Sequence, residues 1–271
     1  MKKVHELLEP VEVKVEGKKL VKVMWGIPNE GHTLTDAYDN RLIMATHLGT
    51  LQVLSHFGAK EYGGMLFDYP DNVEFEFYQA TVGNVLTPIA RDRIAELAYE
   101  EGMDYLFFID DDMLSQPDLF ERLYKHQKDI VGALAFTRFG PHKPVIYVLD
   151  EGFDPIEKKA YYTSKAYLNY PKDTLVECDA VGFGAVLIDC KVLKKVRRPW
   201  FTPATGKGED IQFCFEARKA GFKVYMDTAT KLGHLGPPKV ITEEVYDQET
   251  NAPELREIYG SGMKYQGKDV K

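Results

Sequence analysis

The residues best equipped for chemistry in this 271-residue chain are three consecutive carboxylates, Asp110, Asp111 and Asp112. They end the apolar run Tyr105-Leu106-Phe107-Phe108-Ile109, which reads as a buried strand. Open α/β sheets bind ligands just beyond the carboxyl ends of their strands, where this run stops. In an extended backbone side chains alternate, so Asp110 and Asp112 share one face and Asp111 points away. Two adjacent carboxylates repel, and ionising both is costly unless a cation lies between them. The stretch reads as half of a divalent-metal cradle. It also reads as an acidic turn capping a following helix, with Pro117 in its first turn.

A second pair, Glu209-Asp210, follows the Gly206-Lys207-Gly208 loop and opens a helical stretch. Acids in a first turn are favoured by the helix dipole by about 0.3–1 kcal/mol, which accounts for one of them. The glycine-bracketed loop, preceded by Pro199-Trp200-Phe201, also suits a lid beside an aromatic platform at Trp200. A carboxylate at such a junction is placed to act as general base on an acceptor hydroxyl. His234, between Gly233 and Leu235-Gly236, is either a core imidazole or a ligand at a close-approach site. Two carboxylates and one imidazole make a hard oxygen/nitrogen set suited to Mn²⁺ or Mg²⁺. Arg91, early on the helix before the acidic strand, could share a diphosphate's charge through bidentate bonds. Arg93 reads as a surface partner of Glu96.

The elements needed to position these groups are legible as alternating patterns. A strand over 20–26 is closed by the breaker-rich loop 27–31, and a helix follows over 39–57. Its apolar face is read as Leu42, Ile43, Ala45, Leu48, Leu51, Val53 and Leu54. A strand around Phe75–Tyr78, a helix from Thr87-Pro88 to Gly102, the acidic strand, a helix over 117–126 and a strand over 130–136 complete the alternation. Such alternation predicts an α/β fold, with a mostly parallel central sheet flanked by helices. Residues 141–171 look like an insertion. Strands are expected at 175–178, 184–188 and 223–226, and a helix at 209–220. Residues 1–19 suggest an edge hairpin around Gly17, and residues 237–271 a polar, peripheral C-terminal extension. The expected organisation is one catalytic domain over 1–236, divided into a 20–136 half and a 137–236 half.

Composition narrows the class. Hydrophobic residues make up 44% and charged residues 28%, ordinary for a globular protein with a core. A net charge of −8 disfavours general attraction to nucleic acid or an anionic membrane. The basic cluster Lys191, Lys194, Lys195, Arg197 and Arg198 reads as a solvated helix face. Three widely spaced cysteines form no zinc or disulfide framework and fit a reducing compartment. No apolar run reaches the ~20 residues of a membrane span, and Met1–Pro10 lacks a signal-peptide core. A cytoplasmic location is expected.

The ordered set resembles the glycosyltransferases of the GT-A fold, particularly the inverting family 2. The strand-end loop Trp25-Gly26-Ile27-Pro28-Asn29-Glu30 comes first, then Ala90-Arg91-Asp92, similar to that family's Ala-Arg-Asn helix start. Asp110-Asp111-Asp112, Gly208-Glu209-Asp210 and His234 follow in the family's order. The resemblance implies a Rossmann-like GT-A sheet with a nucleotide-binding first half and a smaller mixed β acceptor region. It implies that Ile27, Pro28 and Glu30 line the nucleotide base, and that Asp110 meets ribose or metal. Asp112 and His234 would ligate the metal at the donor diphosphate, with Arg91 and Asp111 on the donor side. Gly182 and Gly184 would lie under the donor sugar, and Trp200 beside it. Asp210, with Glu209 adjacent, would deprotonate the acceptor. The expected partners are a nucleoside-diphosphate sugar, a UDP- or GDP-sugar first, and a hydroxyl acceptor. A nucleotidyltransferase is the rival enzyme, but residues 26–32 hold none of the Lys or Arg its phosphate loop would need. A catalytically silent sugar-nucleotide-binding module is the rival from another class.

Overall fold

The computed structural model describes residues 17–29, 35–154, 159–203, 207–236 and 239–251. In chain order the first half comprises β1 (Lys19–Asn29), α1 (Thr35–Phe57), β2 (Glu61–Tyr62), β3 (Met65–Leu66), β4 (Val73–Gly83), α2 (Thr87–Glu100), β5 (Tyr105–Ile109), β6 (Met113–Leu114), α3 (Leu119–Tyr124) and β7 (Ile130–Leu134). The second half adds β8 (Ile146–Asp154), β9 (Lys159–Ala166), β10 (Leu175–Cys178), β11 (Ala180–Val181), β12 (Ala185–Asp189), α4 (Glu209–Lys219), β13 (Val224–Lys231), β14 (Gly233–Gly236), β15 (Lys239–Ile241) and α5 (Glu243–Asn251).

The central sheet has the order β10-β13-β7-β12-β5-β1-β4. Strands β4, β1, β5, β7 and β13 run one way, while β12 and β10 run against them. The class is α/β with a mainly parallel sheet, as expected. The reversed β12, wedged between β5 and β7, is invisible to periodicity because hydropathy carries no strand direction. Both faces of β5 are buried, which is why its sequence is a continuous apolar run. Leu106 and Phe108 enter one core with Ile94 and Phe213, and Phe107 and Ile109 enter the other with Leu48 and Phe120. At Gly26 a Cβ would come within 2.7 Å of Ile94 and 2.9 Å of Phe108, so the bare backbone lets α2 press against β1.

Several expectations are corrected. Strand β1 continues through Ile27 and Pro28 to Asn29, because parallel pairing with β4 extends to Gly83. Helix α1 buries Met44, His47, Leu48, Leu51, Leu54 and Ser55, while Leu42, Ile43 and Val53 are exposed. Polar anchors set that rotation: Asn40 donates to Ser115 O, and His47 meets the buried Glu121 at 2.6 Å. The basic cluster lies on consecutive turns rather than a helix. There Lys191 pairs with Asp129 and Asp189, and Arg198 stacks on Tyr99 and Trp200. The 141–171 stretch forms the β8–β9 hairpin, which pairs with β11.

The polar extension is not peripheral over residues 239–251. Strand β15 pairs with β14, Tyr246 stacks on Phe136, and the buried Glu243 accepts from Tyr170 Oη at 2.8 Å. The hairpin suggested around Gly17 falls largely outside the described residues. Among the described residues, no helix is long and apolar enough to cross a membrane.

Candidate functional site

A cavity of about 580 Å³ opens beyond the carboxyl ends of β5 and β7, within the size range of small-molecule sites. Its lining includes Thr87, Arg91, Asp110, Thr137, Arg138, Gly182, Gly184, Glu209, Asp210 and His234. Each side chain arrives on a definable element. Helix α2 starts at the cavity, with Pro88 in its first turn as expected, and carries Arg91 one turn in. Helix α4 begins at Glu209 with Gly208 as its N-cap, so Glu209 and Asp210 open it.

The three aspartates do not continue the strand. Met113 N–H donates to Asp110 O at 3.3 Å, closing a turn, and β6 follows. Alternation therefore fails, and each carboxylate has its own surroundings. Asp110 N–H donates to Gly184 O at 3.0 Å, tying the strand end to the Gly182-Phe183-Gly184 segment. The carboxylate of Asp110 receives Arg91 Nη2 at 2.6 Å. Arg91 Nη1 is paired with Glu209, and its Nη2 also reaches Phe183 O at 3.3 Å. Arg91 is 3% exposed. A guanidinium so buried holds its place only when paired, and here two carboxylates share it. Burial works against the Arg91 charge, yet Asp110, Glu209 and Asp210 together raise its pKa above the ordinary value. Asp111 turns toward α1, where its backbone carbonyl accepts from Arg41 Nη1 at 3.3 Å.

Asp112 and His234 meet through backbone pairing. Strand β14 lies antiparallel to β6 with His234 opposite Met113, and Leu235 N–H donates to Asp112 O at 2.9 Å. His234 Nδ1 lies 2.6 Å from Phe136 O. A carbonyl only accepts, so Nδ1 carries the proton. Burial, helped by the charge of Arg138, lowers the imidazole pKa and keeps the ring neutral. Nε2 therefore presents a lone pair, and it faces Asp112 Oδ2 at 3.2 Å. Two acceptors at that distance demand a cation. The Arg138 guanidinium supplies it, ion-paired to Asp112 Oδ2 and with Nε 3.5 Å from His234 Nε2.

This donor set fits a divalent metal. One carboxylate oxygen and one imidazole nitrogen converge, and the imidazole's other nitrogen is fixed by a carbonyl, as in histidine ligation generally. Among the described residues no three His, Cys, Asp or Glu side chains form a complete metal cage. A metal here would take its remaining ligands from water or a bound anion, as Mg²⁺ sites commonly do.

Asp210 lines the same cavity. Burial raises its carboxyl pKa, opposed by Arg91 and reinforced by Glu209. Asp110 is raised by burial too, again with Arg91 pulling the other way. Glu209 is engaged by Arg91 and so differs from Asp210 in availability.

Other expected site residues lie elsewhere. Trp200 is buried, and its indole N–H reaches Leu193 O at 3.0 Å and Val196 O at 3.2 Å. Its backbone N–H and that of Phe201 donate to Asp92 Oδ1 at 2.8 and 3.2 Å. Asp92 thus ties this segment to α2, and Trp200 lies outside this cavity, bordering a separate pocket of about 490 Å³ with Arg197, Arg198 and Gln212. Ile27 opens on a separate cleft of about 280 Å³ with Trp25, Asn29, Tyr38, Arg41 and Thr81. Pro28 is buried, and Glu30 lies outside the described residues. Sequence reading missed Thr87, Thr137 and Arg138. The available signal for Arg138 was its position four residues beyond the carboxyl end of β7, where such sheets place ligand contacts.

No protein-family model matches the chain, and no curated protein matches its sequence. Solved structures similar to it include A197 from STIV, at 16% identity over 79% of this chain and 85% of that one, with a TM-score of 0.46. The catalytic domain of Drosophila beta1,4-galactosyltransferase 7, in complex with xylobiose, shares 15% identity over 79% and 71%, with a TM-score of 0.40. GalNAc-T7 with UDP, GalNAc and Mn²⁺ shares 10% over 80% of this chain and 43% of that chain, with a TM-score of 0.39.

Proposed function

We propose that this chain is a metal-dependent glycosyltransferase of the GT-A type, moving a sugar from a nucleoside-diphosphate donor to an acceptor hydroxyl. The observation that carries the reading is the facing pair Asp112 Oδ2 and His234 Nε2, two acceptors 3.2 Å apart at the edge of an acidic cavity. Four carboxylates, Asp110, Asp112, Glu209 and Asp210, face two guanidiniums, Arg91 and Arg138. Such a site repels a diphosphate unless a divalent cation joins it.

In this reading Asp112 and His234 hold Mn²⁺ or Mg²⁺. When bound, the metal supplies Lewis-acid stabilisation of charge on the leaving diphosphate. Asp110, held by Arg91, faces the donor from the strand end, and Gly182 and Gly184 border the cavity where a sugar would lie. Asp210 takes the acceptor's proton: burial makes it a better base than an ordinary carboxylate, and among the described residues Arg91 is ion-paired to Glu209 rather than to it. Inversion at the anomeric carbon follows from a base on the acceptor side. Glu209 holds Arg91 rather than the proton. The cleft beside Trp25 and Ile27 is where the nucleobase would rest.

A thermal-shift screen of UDP-, GDP-, ADP- and dTDP-sugars with Mn²⁺, followed by donor-hydrolysis assays, tests the reading. A metal-dependent shift with one donor and metal-dependent release of its nucleoside diphosphate support it. Binding without turnover on any acceptor would make the chain a sugar-nucleotide-binding module instead. Release of pyrophosphate from a nucleoside triphosphate and a sugar phosphate would indicate a nucleotidyltransferase.

A further inference from the structure

Among the described residues, Arg138 is the one cation placed between the two groups that the proposed metal would occupy. Its guanidinium is ion-paired to Asp112 Oδ2, and its Nε lies 3.5 Å from the lone pair of His234 Nε2. Both atoms are the ones a divalent ion would take. A guanidinium and a divalent ion cannot both sit on a carboxylate oxygen and the nitrogen 3.2 Å from it, because like charges at such spacing repel strongly. The arginine is also free to leave. Its side chain is 38% exposed, against 4% for Arg91, and it follows β7 on the turn of residues 137–140. It lines the same cavity as Arg91, Asp110 and Asp210, so a displaced guanidinium remains within reach of an anion bound there.

We infer that Arg138 is a displaceable counter-cation. It neutralises Asp112 and covers the lone pair of His234 while the metal is absent, is driven off them when the metal arrives, and then pairs with the anionic donor in the cavity. This rests on the metal-dependent reading above and deepens it. Two opposite consequences follow. Arg138 competes with the metal alone, and it supports the metal–diphosphate complex. A residue that merely neutralised Asp112 would not combine these two effects.

The test is calorimetric and paramagnetic titration of Mn²⁺ into the nucleotide-free chain, then of UDP and GDP at saturating Mn²⁺. Arg138→Met and Arg138→Gln are compared with wild type; the glutamine variant keeps polar contact if the methionine variant folds poorly. Without nucleotide, either variant binds Mn²⁺ up to about fivefold more tightly than wild type, the scale of a partly exposed ion pair no longer competing. With Mn²⁺ present, either variant binds the recognised diphosphate about tenfold more weakly. Unchanged or weaker Mn²⁺ binding in the variants, or unchanged diphosphate binding, overturns the role of Arg138. If wild type still binds Mn²⁺ and Asp112→Asn loses it, the metal reading survives that failure. If neither wild type nor the variants take up Mn²⁺ with or without nucleotide, the metal reading falls, and the displacement falls with it.

Discussion

His234 Nε2 lies 3.2 Å from Asp112 Oδ2, although 122 residues separate them in the chain. The join is made by backbone pairing of β14 with β6, and the imidazole is oriented by Phe136 O. A neutral ring with its proton on Nδ1 is the form that ligates a metal through Nε2. His234→Ala should therefore lower Mn²⁺ affinity by at least about 10-fold, since losing even an outer partner of a metal ligand costs about 10–100-fold. Calorimetry on the folded variant checks this, and unchanged affinity would remove His234 from the ligand set.

Arg91 clamps Asp110 of the β5 end to Glu209 of α4 from a buried position. Arg91→Met leaves two carboxylates without their cation, and breaking such a buried pair costs about 3–5 kcal/mol. Urea unfolding should show a loss of that size. Arg93→Met on the same helix should change stability by less than about 0.5 kcal/mol. Equal effects would mean that the clamp is not what holds α2 and α4 together.

Asp210 must be ionised to accept a proton. Burial raises its pKa, so the base is lost as pH falls through a value above the ordinary Asp figure of about 3.9. The acid limb of kcat/KM should accordingly lie at higher pH than an exposed aspartate would give. Asp210→Asn should remove that limb and reduce kcat by about 10²–10⁴-fold, with Mn²⁺–nucleotide affinity retained. A limb that persists in the variant would assign the base elsewhere.

Gly182 and Gly184 border the same cavity and differ in what a side chain would meet. At Gly182 a Cβ would lie 2.7 Å from Val145 Cβ, an atom next to backbone. At Gly184 it would meet Met113 Cε at 2.9 Å, the end of a flexible chain. Gly182→Ala should cost about 1–3 kcal/mol, and Gly184→Ala clearly less. Paired denaturation curves decide it; equal costs would show that Met113 cannot move.

The mainly parallel sheet was legible from the alternation of strand and helix patterns, Asp110 from the acids that close the apolar run of β5, and Arg91 and Asp210 from the starts of the helices that carry them. The partners of those residues were not. Arg91 reads as a diphosphate arginine until β5 and α4 bring Asp110 and Glu209 against it, contacts across 19 and 118 residues that no local pattern encodes. The turn at Asp110–Met113 agrees with the acidic-turn reading of the sequence, but it leads into β6 rather than directly into a helix, because Met113-Leu114 pairs with β14, a distant partner. Trp200 looked like a platform because aromatic residues beside a glycine loop suit ligands and cores alike. Its indole N–H is held by Leu193 and Val196, and the residue lies outside the cavity that Asp210 lines.

The most direct test of the account is calorimetric titration of UDP, GDP, ADP and dTDP into the wild-type chain and Asp112→Asn, each with Mn²⁺ and with a chelator. The account predicts that one diphosphate binds wild type only with Mn²⁺, and that Asp112→Asn, still folded, loses that binding. Equal binding in chelator, or undiminished Mn²⁺-dependent binding by Asp112→Asn, would contradict it.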